Sequence, residues 1–365
     1  MRTSVALLAI ATGAGIVLFA YPRDGTAIAQ GNAAHDEIRV LTTPHFRISY
    51  NTGEVFAEKR GELFETFYGK FTEFFRAKHF PVGRGAGRME VLLLATRREF
   101  QEHARGVALH LVGSEGFYSS KHKRSVFFNA LEDGSYNEIV REIAAAERKL
   151  QQLRSQLARI RSDEVIVDYG GGRKKTMSKN QIRSIIAKED RDLQALRNRL
   201  RGHYNQRNED VTLHECAHQL SHELGVAPMG NATPRWLNEG LATFFEPALK
   251  GDLRLPTTVN HDRLVAYRKV EREKLRIPLL ELLGSDAPFG GSSVLIAYTE
   301  SWALMHYLLH ERPEQLKRYI EILKTRGDTI PDNPSEARIQ DFKESFGNDA
   351  SAFEAAWVAY MAQIR

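Results

Sequence analysis

The stretch VTLHECAHQL, Val211 to Leu220, decides how this chain is read, because it sets two histidines four residues apart with a glutamate directly after the first. On an α-helix, residues four apart are separated by only about 40° around the axis. His214 and His218 would therefore project together, each able to offer a neutral imidazole to one metal ion. Glu215 stands beside them rather than on the ion, placed to take a proton from an attacking water. The pattern alone is weak, since residue frequencies put it by accident in roughly a few chains in a hundred of this composition. Its surroundings add weight. Asn208-Glu209-Asp210 reads as a helix start, Leu213, Ala217, Leu220 and Leu224 give a buried side, and Gly225 offers a stop.

A catalytic zinc site wants three protein ligands and one open position. The third is expected at Glu239, twenty-one residues past His218, in TPRWLNEGLATFFE. Thr233 and Pro234 open a helix running to about Ala248, and the turn GVAPMGNATP before it allows the chain to reverse. Two consecutive helices packed together would bring Glu239 to the ion. Cys216 points away from both histidines and reads as a small buried filler. His222, one turn past His218, reads as an outer residue and a second candidate for stabilising an oxyanion.

His214, Glu215 and His218, followed by Trp236-Leu237-Asn238-Glu239-Gly240-Leu241-Ala242, resemble the gluzincin superfamily of zinc peptidases. YTESWAL and the last helices add a resemblance to bacterial exported, peptidase-like gluzincins, over roughly Ile38 to the C-terminus. The resemblance implies that His214, His218 and Glu239 bind zinc and that Glu215 is the general base. It implies that the strand SVFFNA pairs with an extended substrate, Asn129 and Ala130 offering backbone hydrogen bonds. Tyr298 is the implied oxyanion stabiliser, although Tyr298, Trp302, Met305 and Leu309 also form an ordinary packing stripe. The glycine-x-methionine-glutamate-asparagine segment with which large zinc aminopeptidases grip a free amino terminus is missing. An endopeptidase is therefore expected.

The 365 residues, 42% apolar and 27% charged, suit a folded chain of two or three domains. Arg2, an apolar run from Val5 to Ala20, and Ala27-Ile28-Ala29 read as a secretory signal cut after Ala29, with an uncleaved anchor as the rival. Sixteen apolar residues fall short of the roughly 20 that span a bilayer, and no later run is long enough. The expected location is the periplasm, cell envelope or exterior. Cys216 is the single cysteine, so no internal disulfide is possible.

HFRISY (His45 to Tyr50), MEVLLLA (Met89 to Ala95), GFYSS and SVFFNA (Ser125 to Ala130) read as strands. A helix to about Ala77 carries Phe64, Phe67, Phe71 and Phe74 on one stripe, and REFQEHA reads as a helix. Ile139, Ile143, Ala146, Leu150, Leu153, Leu157 and Ile160 then step by heptads, and a second seam runs from Ile182 to His203. EVIVDYGGGRKKTMS between them reads as a β-ribbon with a glycine turn, and Ser178 with Gln181 as a capping box. Tyr136 to Gln206 holds sixteen Lys/Arg against nine Asp/Glu, net +7, where the whole chain is +5. This arm could dock an acidic envelope polymer or a protein partner, although coiled-coil outer faces are commonly just solvated. No nucleic-acid module is recognisable.

The expected fold class is α+β: a small N-terminal α/β sheet unit plus a mainly helical C-terminal lobe, with an inserted antiparallel coiled-coil arm. The divisions are a signal peptide (1–29), a sheet unit with an edge strand (30–135), the arm (136–206), the zinc-binding helices (207–250) and a helical subdomain (251–365). The expected function is that of an exported zinc-dependent peptidase acting on peptide or protein substrates. The alternatives are a secreted binding or scaffold protein that keeps a structural zinc, and a zinc amidase acting on cell-wall peptides.

Overall fold

A computed structural model describes residues 37–168, 174–230, 233–246, 259–327, 329 and 331–365. The expected signal segment and the glycine turn of the ribbon lie outside the described residues. The protein is α+β, and it divides into two compact units, Ala130–Asn205 and His35–Asn129 with Gln206–Arg365.

The larger unit holds a five-stranded sheet of β1 (Arg39–Thr42), β2 (Phe46–Tyr50), β3 (Met89–Leu94), β4 (Gly116–Ser119) and β5 (Arg124–Phe128), in the order β1-β2-β3-β5-β4. β2, β3 and β5 run parallel, and β1 and β4 close the two edges antiparallel. The inner position of β3 explains its unbroken apolar run, because a central parallel strand is covered on both faces. Thr96 and Glu99 form a reciprocal capping box that starts α2 (Arg97–Val107) straight after β3.

The phenylalanine stripe lies on α1 (Glu54–Ala77), with Phe64, Phe67, Phe71 and Phe75 fully buried. It grips α5 (Arg235–Phe245), where Phe245 meets Phe71, Phe75 and Phe67 at ring separations of 5.0, 5.7 and 5.8 Å. α5 begins directly after Pro234, and its expected end near Ala248 lies outside the described residues. The remaining helices are α6 (His261–Arg272), α7 (Leu279–Gly284), α8 (Val294–Glu311), α9 (Pro313–Arg326), α10 (Pro334–Phe346) and α11 (Ala350–Gln363). α8 is the central one, with Trp302, Met305 and Leu309 buried as the packing stripe requires. α5 approaches it closely at Gly240, where a Cβ would stand 2.7 Å from the Ser301 carbonyl oxygen. Only glycine permits that crossing.

The smaller unit is the arm. α3 (Gly134–Arg159) and the first part of α4 (Lys179–Glu223) flank a ribbon of β6 (Glu164–Asp168) and β7 (Lys174–Ser178). Val165, Val167 and Met177 of the ribbon pack with Leu150, Leu157, Ile182 and Ile186 into a small core of the arm's own. The Ser178–Gln181 capping box forms, with hydrogen bonds of 2.8 and 3.2 Å.

One expectation is corrected here. No helix starts at Asn208, because α4 runs unbroken from Lys179 to Glu223 and belongs to both units. Asn208, Glu209 and Asp210 sit inside it, where Asn208 is buried and its side-chain amide reaches the side-chain oxygen of Asn129 at 3.5 Å. Capping residues are tolerated mid-helix when tertiary partners take up their polar groups. No helix among the described residues is long and apolar enough to cross a membrane.

Candidate metal centre

The second half of α4 lies against the sheet, and its register there is fixed by Gln219. That fully buried amide accepts from the Ser125 hydroxyl at 2.8 Å and donates to the Glu90 carbonyl at 3.1 Å, tying the helix to β5 and β3 at once. Leu213, Ala217, Leu220 and Leu224 face the core with Cys216, and Gly225, at φ +66°, ends the helix. The opposite side carries His214 and His218, whose rings meet edge to face at 4.9 Å.

Glu239 of α5 comes to them. Its Oε2 is 3.2 Å from Nε2 of His214 and 3.6 Å from Nε2 of His218, and one ligand atom from each of the three residues lies within 4.8 Å of the others. Tetrahedral bonds of about 2.0 to 2.2 Å place neighbouring donors about 3.3 to 3.6 Å apart, so both carboxylate separations fit one shared ion. The same Oε2 is buried, and among the described residues it makes no well-aligned hydrogen bond, the two imidazole nitrogens being its polar neighbours. A buried carboxylate oxygen in that state is costly unless a cation takes it up. The His214–His218–Glu239 group can hold a metal ion.

Electrostatics point the same way. Burial opposes ionisation of Glu239, yet the two imidazoles hold its carboxyl well below the usual range. Burial likewise opposes protonation of His214, but Glu239 and Glu246 on either side, with the charge of Glu215, push it up to about 10. The pocket thus gathers negative charge around two imidazole nitrogens and favours a cation, whether proton or metal.

Glu246 is the residue that motif reading missed. Its Oε1 accepts from Nδ1 of His214 at 3.1 Å, which leaves Nε2 of that ring as the free lone pair. Arg263 grips the same carboxylate at 3.0 and 3.3 Å, and Asn260, which also caps α6, donates to it at 3.2 Å. A sequence signal existed, since Glu246 follows Glu239 by seven residues, which puts both on one helix face.

Tyr298 of α8 reaches the cluster, its ring centroid 6.3 Å from that of His214. Burial and the neighbouring Glu239 and Glu215 charges raise its pKa above the usual tyrosine range, so it stays a neutral O–H donor. His222 does not join the ligand group; its Nδ1 meets the Tyr118 hydroxyl at 2.8 Å.

The expectation for Asn129 and Ala130 is corrected. β5 lies inside the sheet between β3 and β4, so SVFFNA is no edge strand. The Asn129 backbone N–H donates to the Leu94 carbonyl at 3.0 Å, and both side chains are buried. β4 takes the edge position. Gly116 lets it pass against α4, for a Cβ there would lie 2.6 Å from Val211 Cγ1 and 3.2 Å from Glu215 Cγ. The backbone N–H of Tyr118 then donates to Glu215 Oε2 at 2.9 Å. The edge strand and the proposed base are in direct contact.

A family model described as "Protein of unknown function (DUF1570)" matches residues 210–329, a segment that includes His214, Glu215, His218, Glu239, Glu246 and Tyr298. No curated protein matches the chain.

Proposed function

We propose that the protein is a zinc-dependent peptidase of gluzincin type, an endopeptidase that is exported by its N-terminal signal. One observation carries the reading: a buried, otherwise unpartnered carboxylate oxygen of Glu239 converging with Nε2 of His214 and His218. Two imidazoles and one carboxylate form a donor set that suits zinc and leaves a fourth position open. Zinc bound there supplies a Lewis acid that polarises an amide carbonyl and acidifies water.

The chain's own residues do the rest. Glu215, beside the ligands, receives the proton of the attacking water and passes it to the leaving amine. Tyr298, neutral and half-buried, donates its hydroxyl to the developing oxyanion. Glu246, braced by Arg263 and Asn260, keeps the His214 ring in the tautomer that leaves Nε2 free. β4 presents main-chain groups to an extended peptide. For the Tyr118 N–H to serve a substrate, Glu215 must let go of it. The test is purification of the mature chain, zinc by elemental analysis, and casein or a peptide library assayed beside Glu215→Gln. Zinc near one per chain with activity lost only in the variant is expected, and equal activity in both proteins defeats the reading.

A second reading, that the arm docks a partner, has its own support. Residues 154–188 contain nine Lys/Arg and three Asp/Glu, so +6 of the arm's +7 falls in its ribbon half. Reversing Lys175, Lys179 and Arg183 to glutamate should abolish salt-sensitive retention on an anionic polymer resin. Unchanged retention excludes it.

A further inference from the structure

Among the described residues, the charges around the candidate metal centre do not balance. Glu246 is matched by Arg263, which contacts both of its oxygens. A divalent ion would match Glu215 and Glu239. Arg235, the first residue of α5, is left over. Its Nη2 stands 3.7 Å from Glu239 Oε1, on the side of that carboxylate away from the imidazoles, and its side chain is 45% exposed. Among the described residues no other carboxylate pairs with its side chain. Asp286 accepts only its backbone N–H and is itself held by the Arg338 fork at 2.9 and 3.0 Å.

The guanidinium is also held in place. It lies over the Phe289 ring, 5.1 Å from the centroid, and Phe289 packs edge to face on Tyr298 at 5.7 Å. Arg235 is thus a planar cation with solvent-facing N–H groups, stacked on the wall that carries the proposed oxyanion donor. Its bond geometry matches a carboxylate fork.

The geometry points to Arg235 as a carboxylate-binding subsite, which makes the substrate a peptide with a negative charge next to the scissile bond. This rests on the peptidase reading and extends it to a substrate class. The carboxylate has two sources of one chemistry, an acidic side chain, as the endopeptidase reading requires, or a free C-terminus, which would make the same site that of a carboxypeptidase.

The test uses matched peptides on the zinc-loaded full chain: Asp or Glu against Asn or Gln beside the scissile bond, each with a free or an amidated C-terminus. Wild-type protein should favour one charged series by about tenfold or more in kcat/KM, as a charge-assisted hydrogen bond gives. Arg235→Gln should lower kcat/KM for that series about tenfold more than for its neutral counterpart, while Arg235→Lys keeps part of the preference. The charged series that responds identifies the source. Binding of the same peptides to Glu215→Gln protein, with and without Arg235→Gln, gives a readout independent of turnover. Metal content is measured in every variant. Cleavage without charge preference, or preference untouched by Arg235→Gln, overturns the subsite and leaves the peptidase standing. Absence of any cleavage defeats the peptidase, and equal affinity of charged and neutral peptides in the binding arm then defeats the subsite as well.

Discussion

Two glycine-to-alanine substitutions isolate the helix crossing that builds the site. At Gly240 the added Cβ would meet the Ser301 carbonyl oxygen at 2.7 Å and Met305 Cβ at 3.2 Å. Ordinary carbon–oxygen contact begins near about 3.3 Å, so α5 and α8 must part by roughly half an ångström. Overpacking of that kind costs about 1 to 3 kcal/mol. Alanine gains about 0.8 to 1 kcal/mol over glycine in a helix interior, which partly offsets it. Gly69 supplies the control, because it is exposed on α1 and a Cβ there meets nothing within 4 Å. Gly69→Ala should stabilise by up to about 1 kcal/mol. The difference between the two variants cancels the propensity and leaves the clash, about 1 to 3 kcal/mol, or roughly 1 to 4 °C in Tm for a chain of this size. Calorimetric melts of the metal-free proteins read it. Gly240→Ala should also bind zinc more weakly, since it shifts the residue next to Glu239. If Gly240→Ala melts as high as Gly69→Ala, the close crossing is not what holds α5 in place.

Glu246→Gln should weaken zinc binding by about 10- to 100-fold while the circular dichroism spectrum is unchanged; undiminished affinity would show that the His214 Nδ1 contact is incidental. Tyr298→Phe should cut kcat about a hundredfold or more with metal content intact, and a normal kcat would return Tyr298 to the packing stripe. His306, buried with Nδ1 2.9 Å from the Tyr360 hydroxyl and stacked on His310, has its pKa lowered by burial to about 3. Its unfolded form takes up a proton below about 6.5, so stability should be complete above that pH and fall toward pH 3 by up to about 1.4 kcal/mol per unit. His306→Gln should flatten that limb in a urea-melt pH series, and an unaltered slope refutes the assignment. In the arm, Val165→Ala removes two buried methyl groups at a cost of about 2 kcal/mol. Hydrogen exchange should then quicken in α3 and β7 but not in α8; uniform quickening would mean the arm has no core of its own.

Short-range periodicity carried much of this protein. The spacing of His214 and His218, the phenylalanine stripe of α1, the two heptad seams and the Ser178–Gln181 cap each depend on neighbours within a turn or two, so the sequence alone determined them. Glu239 was legible for the same reason, as the next helix was the only one a short turn could fold back. Tertiary structure decided the rest. Which strand of the β4–β5 hairpin faces outward depends on long-range pairing with β3, and this moved the edge from SVFFNA to Gly116–Ser119. Whether Asn208 starts a helix or rides inside one depends on partners far along the chain, Asn129 among them. Glu246 became the brace of His214 because Arg263 and Asn260, from a helix beyond it, turn its carboxylate inward. Local order follows from the repeat of the backbone. The choice of partner for a strand or a charge follows from which distant surfaces the packed chain brings together.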